Sequence, residues 1–237
     1  MSQPRRQPTL ESEFERLAGG VAATIGIAVA APRLAEVFSL GSWSAGVAWS
    51  TIKVPLAIAA LRRNQSLAKD LVVKAITESD NPASEKLWSQ LGEPVDAARQ
   101  VQAVIREAGD TGTAVESRRL RQGFTAFGQT RWTLGMQARF AAGLPYIGDA
   151  STVIDLMHHL TTEQCWGLAA KGVAAKGGWG PGLHGDYLVR QFGIALQDSG
   201  PVGVALAAEA NTFETGVDVL NTMTEWLISH LPALTEQ

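Results

Sequence analysis

The order of its apolar stretches limits most what this chain can fold into. Val21 to Ala30 is apolar and rich in β-formers, and Val37 to Leu40 reads as its hairpin partner. A long helical block follows. Leu67 to Thr77 places Leu67, Leu71, Val72, Ala75 and Ile76 on one face, and Ala83 to Leu91 and Val95 to Ala108 are further helices. Gly109 to Arg131 has few periodic apolar positions and is expected to be a long loop, a kind usually functional or disordered. Trp132 to Ala142 and Ala150 to Leu160 return to helix. The strand pattern then comes back in Val173 to Lys176, Leu188 to Gln197 and Val202 to Ala208, the last two separated by the turn cluster Asp198-Ser199-Gly200-Pro201. Glu11 to Ala18, ending at Gly19-Gly20, and Thr215 to Leu231 are terminal helices. This order predicts an α/β (α+β) fold: one antiparallel sheet made by both chain ends, flanked by terminal helices, with an all-helical subdomain between. The expected division is a flexible tail over 1–10, a sheet subdomain over 11–49 and 172–237, and a helical subdomain over 50–171, interlocked as one unit. Catalytic groups are expected at the seam, where pockets commonly lie.

Composition narrows the class. With 237 residues, 46% hydrophobic and 18% charged, the chain can bury a substantial core. A formal net charge of -3 argues against nucleic acid as a main partner. Cys165 is the single cysteine, so no internal disulfide forms. No apolar run is long enough to span a membrane. Met1 to Pro8 is polar and basic, without a signal-peptide core. Localisation stays open: cytoplasmic, or exported to the periplasm or cell envelope if a targeting segment has been removed. His158, His159, His184 and His230 lack metal-ligand spacing, so neither metal nor cofactor is expected. Gly177 to Gly182 is glycine-rich but matches no nucleotide-binding loop and reads as a strand-to-turn region.

The chemistry lies in three short motifs. Ser50 and Lys53 are three residues apart at the start of an apolar helix, which puts hydroxyl and amine on one face. A serine becomes a nucleophile when a neighbouring base takes its proton. A lysine can be that base when burial lowers its pKa, and the flank Leu56 to Leu61 predicts burial. Pro55 is tolerated only in a first turn, so the helix should begin at about Thr51 or Ile52 with Ser50 at its mouth. Alone, this segment reads equally as a capping serine and a solvated lysine. Two further motifs follow in order, Ser79-Asp80-Asn81 and Lys176-Gly177-Gly178. Separately, they too have plainer readings: a helix cap, and an ordinary lysine at a strand end.

Together the three resemble the Ser-x-x-Lys, Ser-Asp-Asn and Lys-Thr-Gly signature of the penicillin-recognising serine enzymes, most closely class A β-lactamases. The resemblance spans roughly residues 20 to 235 by order and spacing. It implies a β-lactamase-like fold and a serine hydrolase that acylates Ser50, with Lys53 as proton partner. Ser79 would relay a proton to the leaving nitrogen. Asn81 would hold Lys53 and the substrate amide, and Lys176 would draw in the substrate carboxylate. The backbone N–H groups of Ser50 and Trp179 would form the oxyanion hole. The implied partner is a small molecule, either a β-lactam or, for a D,D-peptidase, a peptidoglycan peptide. A monomer is expected. A non-catalytic binding protein on the same fold is the third possibility.

Three features depart from the family pattern. Ser50 and Ser79 are only 29 positions apart, which shortens the intervening helical block. Gly177 stands where a threonine would help hold the carboxylate, and Gly178 completes the motif. The expected Glu-x-x-Leu-Asn is absent; the long loop offers Glu116-Ser117-Arg118-Arg119-Leu120-Arg121. Glu116 is therefore either the deacylation base or a solvated carboxylate paired with its arginine neighbours. Slow deacylation is expected. Trp132, Trp166 and Trp226 read as core, and Trp179 as pocket rim.

Overall fold

The computed structural model describes residues 9–31 and 36–235. Residues 1–8, most of the expected tail, lie outside the described residues. Thr9 caps helix α1 (Leu10–Gly20), its hydroxyl accepting from Ser12 N. Strand β1 (Thr24–Ala30) pairs antiparallel with β2 (Phe38–Gly41), the expected hairpin. The helical block comprises α2 (Lys53–Arg63), α3 (Gln65–Thr77), α4 (Asn81–Gln90) and α5 (Pro94–Glu107). Helices α6 (Leu134–Gly143) and α7 (Ser151–His158) follow the long loop. Strands β5 (Ala174–Pro181), β6 (Tyr187–Gln197) and β7 (Gly200–Ala210) then lead into α8 (Phe213–Thr235).

The large sheet has the order β2-β1-β7-β6-β5, with every neighbouring pair antiparallel. Strands from the two chain ends meet at β1–β7, where Thr24 to Ala30 run opposite Glu209 to Gly203. Side chains alternate across this sheet. Ile25, Ile27, Val29, Val204 and Leu206 share one core with Phe14 of α1 and with Leu220, Met223 and Leu227 of α8. Ala28, Phe192, Ala205 and Ala207 join the other core, with Leu134 and Phe140 of α6 and the apolar face of α2. α6, expected within the helical region, lies on the sheet against β1 and β7.

Four local expectations change. Leu67 is exposed, so the buried face of α3 runs through Ala68, Val72, Ala75 and Ile76. Ala45–Val47 is strand β3, and Arg131–Thr133 is its partner β4, so Trp132 precedes α6 rather than starting it. Three-residue strands are too short to leave a clear period-2 signal. β5 continues through its glycines to Pro181 instead of turning at Gly177. The reason is steric: β5 passes so close to the Ser50 turn that a Cβ on Gly178 would lie 2.8 Å from Ser50 N. Finally, helix α2 is preceded by a tight 3₁₀ turn, Trp49–Ile52, which holds Ser50.

Candidate active site

Ser50 is half-buried in that 3₁₀ turn, and Lys53 opens α2 directly after it. Pro55 thus falls in the first turn of α2, where its missing N–H has no helical partner to lose. The turn is tied down from behind. Thr51 Oγ1 donates to Ala48 O (2.6 Å) and accepts from Gln137 Nε2 (2.9 Å). Gln137 Oε1 in turn accepts from Arg190 Nη2 (2.9 Å). Arg190 is fully buried, and its Nη1 donates to Gly46 O, Val47 O and Trp132 O, each at 3.1 Å. Burial without a carboxylate lowers its guanidinium pKa to about 9, while the four oxygens around it favour the charged form. One side chain of β6 thereby fastens the small sheet β3–β4 and, through Gln137, the turn that carries Ser50.

The second motif sits between α3 and α4. Asp80 caps α4, its carboxylate accepting from Ala83 N (2.6 Å), and Pro82 fits the first turn. Ser79 has φ +57° and Trp49, beside Ser50, has φ +50°. They are the only non-glycine residues with positive φ among the described residues. Left-handed backbone at non-glycine residues costs of order 1–3 kcal/mol and concentrates where geometry is dictated by function. Trp49 lines the cavity that holds Ser50, and Ser79 sits behind it against Lys53 and Lys176.

Lys53 and Lys176 converge on Ser79. Lys53 Nζ donates to Asn81 Oδ1 (2.7 Å), to Ser79 O and, more weakly, to Ser79 Oγ (3.3 Å). Lys176 Nζ donates to Ser79 Oγ (2.9 Å) and Gly177 O (3.1 Å). Both lysines are buried, with exposures of 1% and 0%. Desolvation lowers the Lys53 amine to about 7, against a smaller opposing pull from Asp80. Lys176 is pushed well below its ordinary value, by burial first and by the neighbouring Lys53 second. Two ammonium groups on one hydroxyl repel, so a proton shared through Ser79 is the favourable arrangement.

In front of Lys53 lies a cavity of about 450 Å³. Ser50, Lys53, Asn81 and Trp179 line it. Ser50 Oγ has no hydrogen-bond partner among the described residues, so its lone pairs are open to a ligand. Five predicted residues do not line it: Ser79, Glu116, Lys176, Gly177 and Gly178. Lys176 lies behind Ser79 and does not line the cavity. Gly177 faces away from it: a Cβ there would lie 2.6 Å from Trp166 Cζ2, so an indole already fills the space a threonine would need. Glu116 is also outside the cavity wall. Its carboxylate accepts from Arg118 N (2.8 Å), Nε (3.0 Å) and Nη2 (3.2 Å), and its own N–H donates to Thr130 Oγ1 (3.0 Å). The Arg118 guanidinium lowers the Glu116 pKa, which is the solvated-pair alternative read from the loop.

The sequence reading missed Glu85 and took Arg119 for a solvated loop arginine; both line the cavity, and they pair at 2.9 Å. A signal for Glu85 existed: it is four residues after Asn81 on a helix begun by Pro82, and so shares its face. Arg119 had none, because its position depends on how the loop crosses from α5 back to the site. Asp110 anchors that crossing, accepting from Gly112 N, Thr113 N, Thr113 Oγ1 and Trp132 Nε1. No cluster of His, Cys, Asp and Glu among the described residues could hold a metal ion, and none of their helices is long and apolar enough to cross a membrane.

No family model matches the sequence, and no curated protein matches it either. The fold is another matter. A class A β-lactamase from Bacteroides cellulosilyticus DSM 14838 superposes with a TM-score of 0.73 at 14% identity, over 94% of this chain and 97% of that one. A β-lactamase from Burkholderia vietnamiensis gives 0.71 at 17% identity, over 97% and 99%. The chromosome-encoded β-lactamase of Vibrio parahaemolyticus gives 0.68 at 13% identity, over 94% and 99%. Architecture and coverage agree from end to end: the chain has a divergent class A β-lactamase-like fold.

Proposed function

We propose that this protein is a serine hydrolase that opens β-lactams through an acyl-enzyme on Ser50. The observation that carries this reading is the state of Lys53: a buried amine near neutrality, one helical turn from a half-exposed serine in the same cavity. The neutral amine takes the Ser50 proton as Oγ attacks the lactam carbonyl carbon. The backbone N–H groups of Ser50 and Trp179 receive the developing oxyanion. Ser79 then gives its proton to the leaving nitrogen and takes one from Lys53, over the 3.3 Å contact. The C–N bond breaks, and an ester on Ser50 remains. Lys176 steadies Ser79 through this exchange. Asn81 uses its carbonyl on Lys53, which leaves its amide N–H groups for the substrate. Intact mass spectrometry after benzylpenicillin should show one adduct per chain, absent in Ser50→Ala; an adduct that survives that substitution rejects the assignment.

A second reading, a D,D-peptidase on peptidoglycan peptides, uses the same acylation. One feature favours it. A groove of about 960 Å³ adjoins the cavity and shares Trp49 and Pro181 with it, giving room for an extended chain. Release of D-alanine from a peptide ending in D-Ala-D-Ala would mark this activity, and its absence beside rapid penicillin turnover would dismiss it.

A further inference from the structure

We infer that Glu85 of α4, rather than a carboxylate of the long loop, positions and deprotonates the water that releases the acyl group from Ser50. This rests on the acyl-enzyme reading above. A deacylating carboxylate must share the space into which the ester projects. Glu85 is the only carboxylate among the described residues that lines the cavity with Ser50, Lys53 and Asn81. Asp80 is spent as a helix cap, and Glu116 is held by Arg118 outside the cavity wall. Glu85 is half-buried and bound through one oxygen only: Oε1 accepts from Arg119 Nη2, while Oε2 has no hydrogen-bond partner among the described residues. The other guanidinium arm, Nη1, donates to Phe124 O (3.0 Å), so the loop holds Arg119 in place beside it.

The step balances. The water oxygen bonds to the ester carbon while one of its protons passes to Glu85 Oε2. Collapse of the tetrahedral intermediate breaks the bond from carbon to Ser50 Oγ. A proton equivalent returns from Glu85 to Oγ, which leaves a carboxylic acid product, a free serine and an ionised Glu85. Arg119 positions this base: its guanidinium holds Oε1 and is itself held by Phe124 O, which leaves Oε2 to the water.

The test is the lifetime of the benzylpenicillin adduct, followed by intact mass in the full chain, with acylation measured in parallel as the check on folding. General-base help is typically worth 10²–10⁴-fold. Glu85→Gln should lengthen the lifetime by at least about 10²-fold, the low end of that range, with acylation little changed. Glu85→Asp, which keeps the carboxylate, should recover part of the loss. Arg119→Met breaks the same ion pair from the other side. A purely structural pair predicts that Arg119→Met behaves like Glu85→Gln; a base positioned by Arg119 predicts a smaller lengthening, because the carboxylate remains. An adduct that forms on Ser50 but decays equally fast in Glu85→Gln overturns this inference and leaves the acyl-enzyme reading standing. No adduct in the parent chain overturns both.

Discussion

On the inner side of the cavity, Lys53, Ser79, Asn81 and Lys176 are joined by a continuous set of hydrogen bonds, and both lysines are buried. On the outer side, Arg118, Arg119 and Leu120 are exposed, and the loop is held by arginine contacts: Arg118 to Glu116, Arg119 to Glu85 and Phe124 O, Arg121 to Pro181 O. The inner side is pre-organised by desolvation and helix geometry. The outer side depends on ion pairs that water screens, and such exposed pairs are worth only about 0–1 kcal/mol each. Substitutions on the two sides should therefore differ in size and in kind.

The largest effect is expected at Lys53. Lys53→Met removes the base, and acylation by benzylpenicillin should fall roughly 10²–10⁴-fold in rapid-mixing measurements. In the parent, acylation should rise as pH passes upward through about 7, where the amine loses its proton, and this inflection should vanish in the variant. Stability carries the same sign. The folded amine titrates near 7 and the unfolded one near 10.5, so the unfolded chain holds more protons between those values. The parent should thus gain stability relative to Lys53→Met as pH rises from about 7 to about 10.5. A difference that falls over that window would mean that Lys53 stays charged in the folded protein.

Next in size is Arg190→Met, which strands four acceptors, of which the two buried ones, Trp132 O and Gln137 Oε1, each cost about 1–3 kcal/mol when unpaired. Chemical denaturation should register a loss of about 3 kcal/mol or more. A loss below about 1 kcal/mol would show that β3–β4 is held by other contacts.

Gly177→Thr separates sequence analogy from packing. Analogy with the family motif expects a gain in carboxylate binding. The Trp166 indole, 2.6 Å from where the Cβ must go, makes this an overpacking change costing about 1–3 kcal/mol. Both stability and acylation should drop, and a faster acylation would show that Trp166 moves freely. Smallest of all, Glu116→Gln should cost under about 1 kcal/mol and barely alter the adduct lifetime, since its carboxylate serves an exposed arginine. A strong lengthening would return the base to the loop.

The same contrast explains what could be read in advance. Ser50 with Lys53, and Asp80 with Pro82, are local devices of helix starts, with residue types dictated by spacing and capping, so both motifs and the burial of Lys53 were legible. Five of the expected strands appeared because their apolar runs are long. The strand pair β3–β4 was not legible, because it is three residues per strand and is fastened by Arg190, over fifty positions from either. Nor was the loop legible. Which of Glu116 and Arg119 faces Ser50 depends on contacts with Glu85, Pro181 and Asp110, and no period in the loop encodes them. Gly177 misled for a related reason: the motif fixes a position along β5, but Trp166, from outside the sheet, decides whether a side chain fits there.

β5 is the last strand of its sheet, and its outer side meets the Ser50 turn and Arg121 instead of another strand. An uncovered strand edge is a template for adding further strands from other molecules. The groups that form the cavity thus also cover this edge. Loosening the loop to widen access, for instance through Arg121→Ala, should raise aggregation on heating even where folding stability is unchanged.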